Sequence, residues 1–472
     1  MVQHHFLLIA FPALGHLNPV LQFAHKLTRM GILVTVSTSL HIHRRMDKTT
    51  SATIPGLSFA PFSDGYDDGY KYDESREDFK ASIEKYYSEI RRLGTESLAN
   101  LISSVKQKGG HPFTCIVHTM LLSWATELAR KLHLPSALLW VQPAAVFAIF
   151  HYYFKDDSFI KNKLSSPSSN SIELPGLPLL EPQDLPSIVV TSVSGLSPII
   201  LTSLAEDLRV LQQEPNPTVL FNTFEELEAD ALRVVRGTFR TIAIGPFVPS
   251  ILLDRENNSS DTRNDNMEWL STKTESSVIY ISFGSLSVLS KRQMEEMARG
   301  LIDSGRPFLW SIREEKEQEK VGEYREEMEE KGRIVKWCKQ VEILSHKSVG
   351  CFVSHCGWNS SLESLVAGVP VVGIPQWADQ ATNGKLIEDV WKTGVRVRVT
   401  VEEGGDDGER IARGEEIRRC VEEVMGDGER GQEVRKNAAK WREVSKEAVK
   451  VGSSSDAGLR AFLDQIGARG TH

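Results

Sequence analysis

The chain has 472 residues, 25% of them charged and 40% hydrophobic, with a formal net charge of −8. That length exceeds what one hydrophobic core supports, so two domains are expected, and the acidic balance argues against a nucleic-acid-binding surface. Five cysteines without a C-x-x-C pair exclude a disulfide framework and a zinc ribbon, and point to a reducing compartment.

In chain order, residues 5–11 are an apolar run with no basic leader, which reads as a buried first strand rather than a signal peptide. The loop Gly15-His16-Leu17-Asn18-Pro19 follows, then a helical pattern over 17–30 with Gly31 where a C-cap belongs, then a strand over 32–37. Strand, helix, strand at this spacing is a parallel βαβ unit. The rhythm continues with a strand over 114–117, a helix over 124–132, and strands over 136–141 and 219–222. Thr223-Phe224-Glu225-Glu226 has the capping-box spacing that opens a helix. The polar stretch 253–266 reads as a linker, and the Asn257-Asn258-Ser259 sequon inside it as a chance match.

Beyond the linker the rhythm restarts with a strand over 277–283, a turn at Gly284-Ser285, an amphipathic helix over 291–301 and a strand over 308–312. The charge-dense run 313–331 reads as a solvated helix face and loop. Strands are expected over 334–337, 349–354 and 369–374, with Lys-, Arg- and Glu-rich helical patterns from about residue 408. No run approaches the length of a membrane span, and a cytoplasmic protein of two similar α/β lobes with a cleft between them is expected.

His16 follows the first strand at its C-terminal end, where open parallel sheets bind ligands. It either packs at a helix start or, as a neutral imidazole, takes a proton as general base. The loop before it has a single glycine where a dinucleotide fingerprint needs three, which disfavours a nicotinamide oxidoreductase. The phosphate-loop lysine motif is missing, and so is any Asp-x-Asp clip for a divalent ion. A bound phosphate would therefore have to be neutralised by protein donors. His355, Cys356-Gly357, Trp358-Asn359 and Ser360 stand between a strand and a helix start, where free N–H groups favour a diphosphate. Ser285 is placed similarly in the first turn of this lobe. Glu363 either closes a capping box with Ser360 or reaches a ligand. Trp337 is either a core aromatic at a strand end or a stacking face, and Asp379-Gln380 lies in a loop where turn chemistry alone selects Asp. The spacing of Cys351, His355 and Cys356 matches no zinc site.

Taken in order, residues 337–380, from Trp337 through His355-Cys356-Gly357-Trp358-Asn359-Ser360 to Asp379-Gln380, resemble the signature box of plant secondary-product UDP-glycosyltransferases. The resemblance extends to Phe11-Pro12 with Gly15-His16. Phe62-Ser63-Asp64-Gly65-Tyr66-Asp67-Asp68-Gly69 and Gly305-Arg306-Pro307-Phe308-Leu309-Trp310 are similar to the branch holding anthocyanin 5-O-glucosyltransferases and crocetin glucosyltransferases. It implies a GT-B fold, two Rossmann-like parallel-sheet domains facing each other across a cleft. The implied parts are an acceptor domain over 1–250, a linker over 251–268, a UDP-sugar domain over 269–450 and a C-terminal helix over 451–472 that returns to the first domain.

The resemblance further implies that the Trp337 ring stacks on uracil beside Cys338, that Gln340 and Glu363 hold ribose, and that Ser285, His355, Asn359 and Ser360 address the diphosphate. Trp358, Asp379 and Gln380 then line the sugar, and a terminal Gln goes with glucose, so UDP-glucose is the expected donor, without metal. The implied reaction is inverting displacement, with His16 taking the acceptor proton. Two positions depart from the pattern: Leu14 stands where Gln is frequent, and Thr119 stands where many relatives place an Asp that orients the histidine. A hydroxyl orients a ring but supplies no charge. The expected acceptor is a flavonoid, anthocyanin or other phenolic. Trp124, Trp140, Phe147, Phe150, Tyr152 and Tyr153 make the first lobe locally aromatic, which suits a flat acceptor, and most of them are expected in the core or in helix packing. The alternatives are glucose-ester formation on a carboxylic acid and a non-catalytic UDP-sugar-binding protein.

Overall fold

A computed structural model describes residues 4–46, 54–71, 79–165, 171–190, 197–253, 265–285, 287–313, 318–401 and 410–469. The chain divides into two compact units, Met1–Phe247 with Ala448–His472, and Val248–Glu447.

The first unit is built on a seven-stranded sheet. Its strands are β1 (His5–Ile9), β2 (Leu33–Ser37), β3 (Leu57–Phe59), β4 (Cys115–Thr119), β5 (Ser136–Trp140), β6 (Thr218–Phe221) and β7 (Arg240–Ala243), in the order β3-β2-β1-β4-β5-β6-β7. All neighbours are parallel. β4 and β6 are buried at every residue, as expected of parallel strands covered by helices on both faces. The helix after β1 spans Leu14–Arg29, three residues earlier than the hydrophobic pattern suggests, so His16 lies in its first turn. It ends on Gly31 at φ +81°, with the Gly31 and Ile32 N–H groups returning to Thr28 and Leu27 carbonyls, the left-handed exit that glycine permits.

Two buried carboxylates replace caps that the local sequence lacks. The helices Ser123–Lys131 and Ala144–Lys155 begin after Leu122 and Pro143, neither of which offers a capping oxygen. Asp207 accepts the Leu121, Leu122 and Ser123 N–H groups, and Glu228 accepts those of Ala144 and Ala145, each at 2.9 Å. The Asp207 bonds hold the turn at Leu121, which has φ +70°, directly after β4. The C-terminal helix Ser454–Arg469 lies on β7, where a Cβ on Gly458 would come within 2.8 Å of Ile242.

The second unit carries β8 (Val278–Ser282), β9 (Phe308–Ser311), β10 (Gly332–Val335), β11 (Val349–Ser354), β12 (Val371–Gly373) and β13 (Gly394–Arg396), ordered β10-β9-β8-β11-β12-β13. A small hairpin pairs β14 (Val399–Val401) with β15 (Arg410–Ala412). Ile279, Ile281, Trp310, Val353 and Val372 form its core with Met297, Leu301 and Val421 of the covering helices.

Some expectations need correction. The helix at 223–226 exists, but it starts at Glu225 with Phe224 as N-cap and no side-chain cap bond, so the expected capping box is not formed. The charge-dense run is a 3-10 turn, Glu319–Tyr324, and a helix, Arg325–Lys331, with 314–317 outside the described residues. Of the stretch 253–266, residues 254–264 lie outside them as well, the sequon included. Among the described residues no helix is long and apolar enough to cross a membrane.

Candidate active site

In the first sheet the strand order reverses between β1 and β4, and in the second between β8 and β11. Crevices at the carboxyl ends of such neighbouring strands are where open parallel sheets take ligands. The expected polar residues fall at both reversals.

At the first, the His16 Nδ1 lies 3.0 Å from the Thr119 hydroxyl at the end of β4, and the same oxygen accepts the Phe11 N–H at 2.9 Å. Thr119 is fully buried, whereas His16 is half-buried. Its Nε2 has no protein partner among the described residues. Desolvation lowers the His16 pKa to about 4, so the ring is neutral across ordinary pH. Neighbouring His118 serves as a contrast: its Nε2 meets the Thr126 hydroxyl at 2.7 Å and its Nδ1 the Thr119 carbonyl at 3.0 Å, which leaves it no free edge.

Most of the aromatic residues that mark the first lobe lie in its core, as expected. Trp124, Trp140, Phe147 and Phe150 are core side chains at 4% exposure or less, and the Trp140 indole N–H is spent on the Pro143 carbonyl. Beside His16 stands Phe11, from which a different aromatic row runs on. Phe11 lies 5.2 Å from the His16 ring and 5.9 Å from Tyr87, and Tyr86 continues the row to Tyr70, stacked at 4.4 Å, and to Tyr66 at 5.2 Å. These residues come from three separate segments; Phe11 and Tyr66 stand in motifs that carry the resemblance, whereas Tyr70, Tyr86 and Tyr87 have no motif to mark them.

At the second reversal, Ser354 pairs with Ser282, which brings the loops after β8 and β11 side by side. The His355 ring lies between two glycines. A Cβ on Gly284 would come within 2.6 Å of its Nε2, and one on Gly357 within 2.5 Å. Both loop glycines are thus required by this one imidazole. Cys356 takes φ +63° between His355 and Gly357, a strained value for a residue with a side chain. The His355 Nδ1 is buried with no hydrogen-bond partner among the described residues, and desolvation lowers its pKa to about 4. A neutral imidazole offers a ligand a hydrogen bond rather than a charge.

The helix Trp358–Ala367 starts at Gly357 without a side-chain cap. Asn359 and Ser360 stand in its first turn, and the Trp358 ring is buried 5.9 Å from Trp391, so toward a ligand it can present only backbone. Since Ser360 is the third helical residue, Glu363 is not a capping-box partner. Its carboxylate instead accepts the Gln340 amide at 2.6 Å, while that amide also donates to the Ser360 hydroxyl at 2.8 Å. Tyr280 in β8 donates to the Gln340 carbonyl at 3.3 Å and lies 3.5 Å from the Cys338 sulfur. Burial raises the Glu363 carboxyl to about 7. Beside this network Trp337 stands 59% exposed, not a core aromatic.

Asp379 and Gln380 are buried and individually fixed. Asn383 donates to the Asp379 carboxylate at 2.7 Å, and burial raises that carboxyl to about 6. The Gln380 carbonyl accepts the Gln376 and Trp377 N–H groups at 2.8 and 3.1 Å, which orients its amide, and the amide N–H groups meet no acceptor among the described residues. Ser285 accepts at its carbonyl from Arg313 at 3.5 Å. Tyr280 and Asn383 were not singled out in the sequence, because each acts on another side chain rather than carrying a motif.

Two Rossmann-like parallel-sheet units in one chain are the architecture of GT-B glycosyltransferases. A model of the UDP-glucoronosyl and UDP-glucosyl transferase family matches residues 243–405. Phloretin 4'-O-glucosyltransferase of Malus domestica is 50% identical over 99% of this chain and 98% of its own length. Crocetin glucosyltransferase, chloroplastic, of Gardenia jasminoides is 47% identical over 98% of each. The solved structure of Os79 from O. sativa in complex with U2F and trichothecene superposes with a TM-score of 0.80 at 32% identity, covering 98% of this chain and all of that one. The chain belongs to the plant UDP-glycosyltransferases.

Proposed function

We propose that this enzyme transfers glucose from UDP-glucose, with inversion, to an oxygen of a small flat plant metabolite, a flavonoid, anthocyanin or other phenolic. The observation that carries the reading is the fixed network from Tyr280 through Gln340 to Ser360 and Glu363, lying beside an exposed Trp337. A base stacks on the Trp337 ring near Cys338, and Gln340 and Glu363 take the ribose hydroxyls. Ser285, His355, Asn359, Ser360 and the helix start take the diphosphate, with dipoles in place of a metal. Backbone at Trp358, with Asp379 and Gln380, faces the hexose.

On the acceptor side, the half-buried rings of Tyr66, Tyr70 and Tyr87 offer π faces to a flat molecule. His16 meets the acceptor oxygen and takes the proton of one that arrives as a hydroxyl. The oxygen attacks the anomeric carbon as UDP departs with the bonding pair, and prepositioned donors stabilise that charge. The phloretin and anthocyanidin enzymes among the relatives support the phenolic reading. A second reading, ester formation on a carboxylic acid, is favoured by Thr119, which gives His16 no negative partner, and by the crocetin enzyme. We place the activity in the cytoplasm.

The test pairs calorimetric titration of UDP in chelator-treated buffer with product formation from UDP-glucose and phenols. UDP binding should survive chelation. His16→Ala should lower transfer to acceptors that arrive as hydroxyls by roughly 10²–10⁴-fold and leave UDP affinity within about twofold. No affinity for UDP refutes the donor assignment.

A further inference from the structure

A hydroxyl has one proton to give and two lone pairs. At Thr119 one lone pair is occupied by the Phe11 N–H at 2.9 Å, and His16 Nδ1 lies 3.0 Å away. Two arrangements satisfy that second distance. If Nδ1 carried a hydrogen, the Thr119 oxygen would accept twice, and its own proton would be buried without an acceptor, because no other partner for it stands among the described residues. If the hydroxyl donates to Nδ1, every polar atom at this fully buried residue is satisfied. Buried donors without partners are strongly disfavoured, so the hydroxyl donates. A neutral imidazole has one N–H, and its position follows from the bond made by the other nitrogen. The hydrogen therefore sits on Nε2. A carboxylate at position 119 could only accept, and would place the hydrogen on Nδ1 and leave Nε2 bare for a proton.

We propose that Thr119 is a positioning residue that holds His16 as the Nε2–H tautomer, and that the enzyme consequently favours acceptor oxygens that arrive already ionised, carboxylates before phenols and phenols before aliphatic alcohols. This rests on the reading that His16 meets the acceptor oxygen. With a carboxylate, a lone pair of one oxygen forms the bond to the anomeric carbon, the bond from that carbon to the UDP oxygen breaks, and its electron pair leaves on UDP. No proton moves, and the Nε2–H donates to the acceptor's second oxygen. An alcohol must lose a proton, and Nε2 has no lone pair to receive it until the ring is re-tautomerised and the Thr119 bond is given up. Burial, which keeps the ring neutral, preserves this distinction.

Two measurements test it. In ring spectra of ¹⁵N-histidine-labelled enzyme, the signal lost in His16→Gln should show the Nε2–H tautomer; an Nδ1–H pattern overturns the proposal. In parallel, kcat/KM is measured for benzoate, para-substituted phenols of graded acidity and benzyl alcohol, with wild type and Thr119→Asp. The wild type should slow steeply as the phenols become less acidic. Thr119→Asp should flatten that dependence and raise the benzyl alcohol to benzoate ratio at least tenfold, whereas Thr119→Ser, which keeps the hydroxyl, should retain the wild-type order. Thr119→Val, with the donor removed, replaces Thr119→Asp if the charge prevents folding, and should also flatten the series. An unchanged series in a folded variant overturns the role of Thr119 but leaves the transferase reading standing; no transfer to any acceptor overturns both.

Discussion

The His355 cradle makes a sharp prediction, because one of its two glycines is free of backbone strain. Gly357 has φ −61°, a value any residue adopts, so Gly357→Ala perturbs only the space beside the ring. The new Cβ would lie 2.5 Å from Nε2, against ordinary contact from 3.4 Å, so the ring must retreat by about 1 Å toward Gly284. Overpacking of this kind costs about 1–3 kcal/mol, which lowers the Tm of a unit of this size by about 2–4 °C for each kcal/mol. Loss of a hydrogen bond to a charged phosphate removes about 1.5–3 kcal/mol, or roughly 10- to 100-fold in UDP affinity. Gly284→Ala meets the same ring at 2.6 Å and sits at φ +74°, so it should add about 1–2 kcal/mol of left-handed strain. Calorimetry with UDP in chelator-treated buffer, alongside thermal unfolding, separates the two costs. If Gly357→Ala binds UDP as tightly as wild type, His355 does not hold the diphosphate.

Other expectations concern single side chains. Burial raises the Glu363 carboxyl from 4.5 to about 7, so the folded unit keeps a proton there that the unfolded chain releases. This contribution is complete below pH 4.5 and is lost as pH rises through 7. Glu363→Gln should therefore gain on the order of 1–2 kcal/mol relative to wild type at pH 8 but not at pH 4, read by denaturant unfolding; an equal difference at both pH values refutes the assignment. Gln380→Ala removes the acceptor for the Gln376 and Trp377 N–H groups and should raise KM for UDP-glucose by roughly tenfold, with UDP affinity changed much less. Tyr66→Ala shortens the aromatic row and should raise acceptor KM by roughly tenfold while KM for UDP-glucose stays put; initial-rate kinetics with each substrate varied distinguishes the two.

The α/β rhythm was legible because parallel strands buried on both faces read as continuous apolar runs, as in the VGCFVS of β11. β3, β7 and β13 were not, since LSF, RTIA and GVR are too short to show a run. The polar residues at the strand ends could be picked out, but what each side chain touches could not. Glu363 has capping-box spacing, yet the helix begins at Trp358, two residues before the Ser360 that the motif would use as its cap. Trp140 is as aromatic as Tyr87, and only tertiary packing buries one at 1% exposure and leaves the other half-buried against Phe11. The Phe11 bond to Thr119 joins residues 108 apart, beyond the reach of local pattern.

The route of the backbone has its own consequence. Residues 448–472 belong with residues 1–247, so the second unit is inserted within the first along the chain. A ribosome delivers that insert in full before the helix that seals β7 has emerged. The first unit is thus completed only after the whole second unit has been made, and β7 lacks its covering helix until then.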